Sequence, residues 1–334
     1  MAAVSIHDVA RVAGVSISTA SRAMNRAGRV SEDTVKKVQE VAARLGYQPN
    51  AIARAMRSKQ SHAVGVIVSD ISNPFYGRLV KTLERSLSES GYACFVASSN
   101  NDISTEVNLV RLFKSREVDG IILGPCQTDS IAHLVSEIKG TPTILFDRDG
   151  GNALSSVKVD HYQGTCSAMR YLIARGHRRI ALLTPGSQIQ PIKDRIRAYQ
   201  DCLVEASIGF DPSLICLADS SMNFPPERAQ MLLNMPGERP TAFLCLGTKI
   251  LAGVLAAIRS ARRVIPKDVS VISIGDSDFS ELHSPSITSL AWDIKALSGD
   301  ISSLLLSQMR DESTGPRSAV VEMRLIERES CATI

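Results

Sequence analysis

Between Ser16 and Asn25 the chain carries the run Ser-Ile-Ser-Thr-Ala-Ser-Arg-Ala-Met-Asn. Wound as a helix, it turns Ile17, Ser18, Ser21, Arg22 and Asn25 outward. These side chains suit a nucleic acid. A guanidinium fork matches the paired acceptors on a guanine edge, so Arg22 can specify a base. Ser16, Thr19, Ser21 and Asn25 suit phosphate contacts or helix capping, which set position without reading sequence. The alternative is a small helical bundle whose arginine and serines simply face water.

The surrounding residues predict elements able to present that face. Ser5 can cap a helix running to about Ala13, which Gly14 ends. Ser16 can cap the second helix, over 17–25. Gly28 breaks it, and Ser31 caps a third that runs through Val35, Val38, Val41, Ala42 and Leu45 to Gly46. A helix, a glycine turn and a second helix make a helix-turn-helix, with Ala10, Val15 and Ala20 packing the pair. Charge agrees. The net charge is +4, yet residues 1–60 hold ten Lys/Arg and four Asp/Glu, so the remainder is net −2. Concentrated positive charge favours a polyanion through counterion release; a solvated basic arm is the bland reading of the same numbers. Residues 49–61 read as a linker.

From His62 onward the texture is β/α. Strands are expected over 64–69, 93–97, 120–123, 143–146, 157–159, 180–184, 241–246 and 269–274. Helices are expected over 76–89, 106–114, 163–174, 193–206, 226–234 and 250–262. Such alternation predicts parallel sheets flanked by helices, and the strand count predicts two lobes. Ligands in such sheets bind beyond the C-terminal strand ends.

Other function classes find no support. The sequence has no GxGxxG, GxxxxGK[ST] or GxSxG signature, so no enzyme and no cofactor is expected. The six histidines lack metal-ligand spacing. The seven cysteines form no CxxC pair and read as reduced core residues. No apolar run is long enough to span a bilayer, and the start lacks a signal-peptide core, so a cytoplasmic protein is expected.

The combined motifs resemble the lac repressor/galactose repressor (LacI/GalR) family. In the head they are Ile6, Asp8-Val-Ala, Ala13-Gly-Val-Ser, Thr19, Ser21-Arg, Asn25, Val30-Ser, Thr34, Leu45-Gly-Tyr, Pro49-Asn and Ala53-Arg. In the core they are Gly65-Val-Ile-Val, Asn73-Pro-Phe, Val118-Asp-Gly-Ile-Ile, Asp147-Arg, Gly176-His-Arg-Arg-Ile, Val264-Ile-Pro-Lys-Asp-Val-Ser-Val and Ser284-Pro-Ser-Ile-Thr. The resemblance implies a ligand-responsive DNA-binding regulator, a repressor. Its fold would be a three-helix head over 1–48, a hinge over 49–61 and a two-lobed periplasmic-binding-protein-like core over 62–334. The crossovers fall near Asp160, Leu290 and Ala319. Lobe one is then about 62–160 and 291–319, and lobe two about 161–290 and 320–330. By resemblance Ile17 and Ser18 read bases beside Arg22. Met56, where leucine is usual, is the apolar wedge at a minor-groove kink. Arg54 and Arg57 lie along that groove. Arg29 and Asn50 complete the candidate DNA contacts. A passive linker is the alternative role for Met56.

The resemblance also implies an effector site at Asn73, Phe75, Asp147, Arg148 and Arg195. Arg195 could instead form a surface salt bridge, Asp147 an interlobe pair, and Phe75 plain core. Trp292, at the second crossover, suits hinge packing more than a ligand platform. Two departures stand out. Gly247-Thr248 replaces the family's Asn-Asp, and Ser273-Ile-Gly-Asp276 replaces Gly-Phe-Asp-Asp. Loss of a carboxylate favours a sugar acid over a neutral sugar as effector, unless Asp276 takes the vacant role. The expected partners are pseudo-palindromic double-stranded operator DNA, the effector and a second copy of the chain. The short stretch after the final strand favours a homodimer over a tail-assembled tetramer.

Overall fold

A computed structural model describes residues 4–25, 30–47, 60–126, 131–186, 189–217, 226–235, 239–311 and 315–334. The chain divides into two compact units, Met1–Ser61 and His62–Ile334.

In the first unit, α1 (Ile6–Ala13), α2 (Ile17–Asn25) and α3 (Glu32–Leu45) follow the punctuation of the sequence. Ser5 and Asp8 form a reciprocal capping box on α1, and Ser31 caps α3. Gly14 ends α1 at φ 67°, a left-handed conformation that a glycine adopts without steric cost. Val9, Ala10, Ala13, Ala20, Ala23, Val38, Val41 and Ala42 form the core, with Val15 packed at its edge. The small residues let three short helices approach closely.

The second unit holds two six-stranded sheets. The first contains β1 (Ala63–Val68), β2 (Ala93–Ser98), β3 (Gly120–Leu123), β4 (Thr143–Phe146), β5 (Ser155–Val159) and β11 (Ser318–Val321), in the order β11-β5-β4-β3-β1-β2, all parallel. The second contains β6 (Ile180–Thr184), β7 (Ile215–Leu217), β8 (Ala242–Cys245), β9 (Ser270–Ile274), β10 (Thr288–Trp292) and β12 (Met323–Ile326), in the order β12-β10-β9-β8-β6-β7. Only β12 runs antiparallel to its neighbour there, beside β10. Both sheets are apolar on two faces because helices cover both sides.

The helices are α4 (Pro74–Glu89), α5 (Ile103–Ser115), α6 (Ala132–Ile138), α7 (His161–Ala174), α8 (Gln190–Glu205), α9 (Pro226–Leu233), α10 (Thr248–Ser260), α11 (Asp278–Leu282) and α12 (Ile294–Met309). The chain passes between the sheets after β5, after β10 and between β11 and β12. The last crossing is therefore at Glu322 rather than near Ala319, because β11 extends its pairing with β5 as far as Val321. Helix α12 returns to the first sheet and buries Leu297, Ile301 and Leu305 beside Leu79, Leu83 and Leu87 of α4. No described helix is long and apolar enough to cross a membrane.

Candidate functional site

The head presents α2. The Ser16 hydroxyl accepts from the Thr19 amide at 3.0 Å and lies 2.8 Å from Thr19 Oγ1 and 2.9 Å from Ser18 Oγ. Ser16 therefore caps the helix. Ala20 and Ala23 face the head core, and Thr19 and Ser21 are half-buried. Ile17, Ser18 and Arg22 form the open face, with Ile17 46% exposed. An exposed isoleucine on so small a unit costs solvation, which contact with a base methyl would relieve. Arg22 lies one turn from Ser18, and its Nε donates to the Ser18 carbonyl at 3.2 Å. Asn25 closes α2. Arg29, Asn50, Arg54 and Met56 lie outside the described residues.

The core gathers charge where strand ends of the two sheets meet. Asp147 and Arg148 follow β4, His161 opens α7, and Arg195 lies on the second turn of α8. Arg195 Nη2 lies 3.0 Å from His161 Nδ1, and His161 Nε2 lies 2.6 Å from Asp147 Oδ1. A guanidinium can only donate, so His161 Nδ1 accepts and its proton sits on Nε2, directed at Asp147. His161 is thus a neutral ring held between a cation and an anion. Burial lowers its pKa below 6.5, and the two guanidiniums act in the same direction against Asp147. Burial alone would raise the Asp147 carboxyl. His161, Arg148 and Arg195 outweigh it and hold Asp147 below the usual carboxylate value.

Arg148 Nη1 donates to the Asp147 carbonyl at 2.6 Å, and lies 3.4 Å from Asp147 Oδ2. Arg195 is brought down to about 10 by burial, and so keeps its charge at neutral pH. Arg148 is 5% exposed and Arg195 7%, and each retains a buried Nε–H with no partner. Tyr76 of α4 faces the same group, and burial raises its phenol pKa. Asp147 adopts φ 55°, unusual for a residue with a side chain and a local cost borne at this junction.

The remaining candidates have other positions. Asn73 caps α4, accepting from the Phe75 amide at 3.1 Å. Phe75 is buried, its ring 4.5 Å from that of Trp292, which makes it interlobe core rather than an open stacking face. Trp292 also covers Gly275, where a Cβ would lie 2.9 Å from the indole. That contact, with φ 103° at Gly275, is a physical reason for the missing acid: the indole occupies its space. Gly247 begins α10 at φ 143° and supplies no side-chain cap. The Asp276 carboxylate accepts from Arg328 at 2.7 Å, so it does not fill the vacancy at 275. His161 and Tyr76 belong to the cluster and were not among the sequence candidates. A histidine directly after the crossover acid Asp160 was the available signal for the first.

A second interlobe set lies nearby in the fold. Lys249 pairs with Asp70 at 2.7 Å, while Arg78 pairs with Asp278 and donates to the Asp276 carbonyl at 3.3 Å. Arg78, Lys249 and Asp278 border a cavity of about 600 Å³ lined also by Ser72, Gly77, Thr248 and Ser277, among others. Asp147, Arg148 and Arg195 do not line it.

A family model for bacterial regulatory proteins of the lacI family matches residues 5–50, and one for a periplasmic binding protein-like domain matches residues 169–331. The chain is 32% identical to the HTH-type transcriptional regulator RegA of Clostridium saccharobutylicum, over 98% of this chain and 99% of that one. It is 30% identical to the HTH-type transcriptional regulator DegA of Bacillus subtilis (strain 168), over 98% of each. Among solved structures it is similar to a lac repressor dimer bound to operator and the anti-inducer ONPF, with TM-score 0.88 and 25% identity over 99% and 100% of the two chains. It is also similar to a transcriptional regulator CelR–cellobiose complex, with TM-score 0.71 and 26% identity over 98% and 99%.

Proposed function

This chain belongs to the lacI family of bacterial regulatory proteins and is a DNA-binding transcriptional regulator, and on that premise we propose that it represses a catabolic operon in response to a carbohydrate or sugar acid. The head would read a pseudo-palindromic operator through Ile17, Ser18 and Arg22, two heads being supplied by a homodimer in the cytoplasm. Arg29, Asn50, Arg54 and Met56 complete the proposed DNA contacts. Residues 1–48 would act as the reading unit, 49–61 as the hinge, and the rest as the sensor. The relative in complex with cellobiose, and the lac repressor bound to its operator, lend this reading support.

The observation that carries the sensing role is the chain of contacts from Asp147 through His161 to Arg195. It ties residues after β4 to α7 and α8 with buried charge. A ligand able to regulate must bind two lobe arrangements unequally. One that bonds to this chain of contacts does so if it favours the arrangement in which Asp147, after β4 of the first lobe, meets His161 of the second. The test is selection of operator fragments from genomic DNA by the purified chain, followed by gel shift with sugars and sugar acids added. Sequence-specific retention that an effector alters at millimolar concentration is the expected result. Retention insensitive to sequence, or to every carbohydrate tried, would count against it.

A further inference from the structure

The buried cluster contains more positive than negative charge. Arg148 and Arg195 are cations, Asp147 is the only carboxylate among the described residues bonded to the group, and His161 is held neutral by the donor rule. The nearby acids bond other groups. Asp194 favours the Arg195 charge from a distance but accepts its bonds from Gln190 at 2.9 Å and Arg197 at 3.4 Å, and Asp276 is taken by Arg328. A buried cation without its counter-charge is costly, and a charge-assisted anion contact relieves that cost. Both guanidiniums also keep a buried Nε–H without a partner, which is unspent capacity to donate.

The helices add to this. Strands β6 and β8 are neighbours, so α8 and α10 begin from adjacent strand ends. Their positive N-terminal ends favour negative charge. Gly247 gives α10 no capping side chain, and the Thr248 hydroxyl at its first turn is buried without a partner. On the other side, Trp292 occupies the space an acidic side chain at 275 would need. The site thus offers donors and cations, and excludes a second carboxylate of its own.

We propose that the interlobe cluster selects an effector bearing an anionic group, a carboxylate or a phosphate ester, held by Arg195 and Arg148. This rests on the reading of the chain as an effector-controlled regulator, and narrows the ligand class. The anion neutralises the excess charge and bonds the free Nε–H groups once the lobes part enough to admit it, because in this arrangement both guanidiniums are closed off from the neighbouring cavity. The Asp147–His161 pair stays beside it as an orienting partner: His161 Nδ1 fixes the Arg195 fork, and Asp147 fixes the His161 tautomer. A neutral sugar offers hydroxyls but no charge, and leaves the excess in place.

Trp292 is the only tryptophan in the chain and packs against Phe75 and Gly275, so its fluorescence reports on this junction. The purified full-length chain is titrated with matched probes: glucose, gluconate and glucose 6-phosphate; galactose and galacturonate; and inorganic phosphate as the bare anion. At least one anionic probe is expected to bind tenfold or more tightly than its neutral parent, a difference of about 1.4 kcal/mol. Arg195→Gln is expected to bring that ratio close to one. Arg148→Gln, the second variant should the first fail to fold, is expected to do the same in part. The carboxylate and phosphate arms distinguish the two sources of charge. A neutral sugar that binds more tightly than its acid and alters operator retention overturns the anion claim while leaving the regulator reading intact. An acid-to-neutral ratio unchanged in both variants overturns it too. If no probe changes the Trp292 signal or operator retention, both the anion claim and the carbohydrate reading fall, and sequence-specific DNA binding alone stands.

Discussion

Arg22 and His161 illustrate two kinds of functional residue, one legible in the sequence and one not. Arg22 was legible because its neighbours dictate exposure: Ala20 and Ala23 must face the head core, so residue 22 cannot. Its truncation to alanine should cost about 1–3 kcal/mol of specific binding, or roughly 5- to 150-fold, with nonspecific DNA affinity changed far less. A gel shift on operator and scrambled duplexes reads the difference, and equal losses on both would sink the base-reading role. His161 was overlooked because a lone histidine signals chemistry only through what surrounds it, and its partners lie just after β4 and on α8, 14 and 34 residues away. Its pKa in the fold is below 6.5 because burial opposes the charge. As pH drops below about 6.5, the unfolded chain takes up a proton that the folded chain refuses. Stability therefore falls with pH across the window from 6.5 down to the folded value. His177, also lowered by burial, contributes in the same direction. His161→Gln should flatten part of this decline in denaturant melts at pH 5–7. An unchanged slope would mean that the ring is charged in the fold.

At the scale of elements, periodic strands were legible and serine-bearing helices were not. The expected strands fell on β1–β6, β8 and β9; β1, β3, β4, β6, β8 and β9 are short apolar runs buried on both faces, whereas β2 lies at the sheet edge with Phe95 and Val96 exposed. Helix α12 escaped the sequence pattern although it is 16 residues long. Its buried face alternates Leu297, Ile301 and Leu305 with Ser298 and Ser302, which dilutes the apolar signal. Its close approach to the sheet places Leu305 2.8 Å from where a Cβ on Gly120 would be, so β3 needs the glycine. The tail after β12 was equally illegible, since it has no regular element and works through single hydrogen bonds. The Thr288 amide donates to Ser330 Oγ at 2.8 Å, the Ala332 amide to Ser270 Oγ at 3.0 Å, and the Ile334 amide to the Arg175 carbonyl at 2.9 Å. His177 Nε2 lies 3.2 Å from the Ala332 carbonyl. Removing residues 328–334 should therefore destabilise the second lobe by at least roughly 2–6 kcal/mol, the share of these four bonds alone at ~0.5–1.5 kcal/mol each. Calorimetry of the truncated chain reads this directly, and an unaltered melting profile would show the tail to be dispensable.

For the whole molecule, the uneven charge sets how it should meet DNA. The excess of six positive charges in residues 1–60 belongs to the reading end, and the rest of the chain is net negative. Affinity should therefore fall steeply with salt, by roughly 10³–10⁵-fold between 50 and 200 mM if six to ten phosphates are neutralised. A shallow dependence would place the basic residues away from the duplex. Light scattering is expected to give twice the 36.1 kDa chain mass, with specific binding lost on dilution to monomer. The two-sheet architecture followed from β/α alternation together with the number of strands. The ion cluster did not, because residues 147, 161 and 195 lie on three separate elements, on either side of the first crossing, and meet only in the fold.

Those crossings also bear on how the protein is made. A ribosome delivers the chain from its N-terminus, and domains usually fold as they emerge. The head can do so, since its three helices are complete by Leu45. Neither sheet can. Strand β11 closes the edge beside β5, a strand that ends at Val159, and β12 closes the edge beside β10. Through the synthesis of well over a hundred residues the first sheet waits with the β5 edge open and without α12, whose apolar face covers its core. An open parallel edge is a template for another nascent chain. Translation thus leaves a long interval in which the β5 edge stays open, and both sheets complete almost together once residues 318–326 have been made.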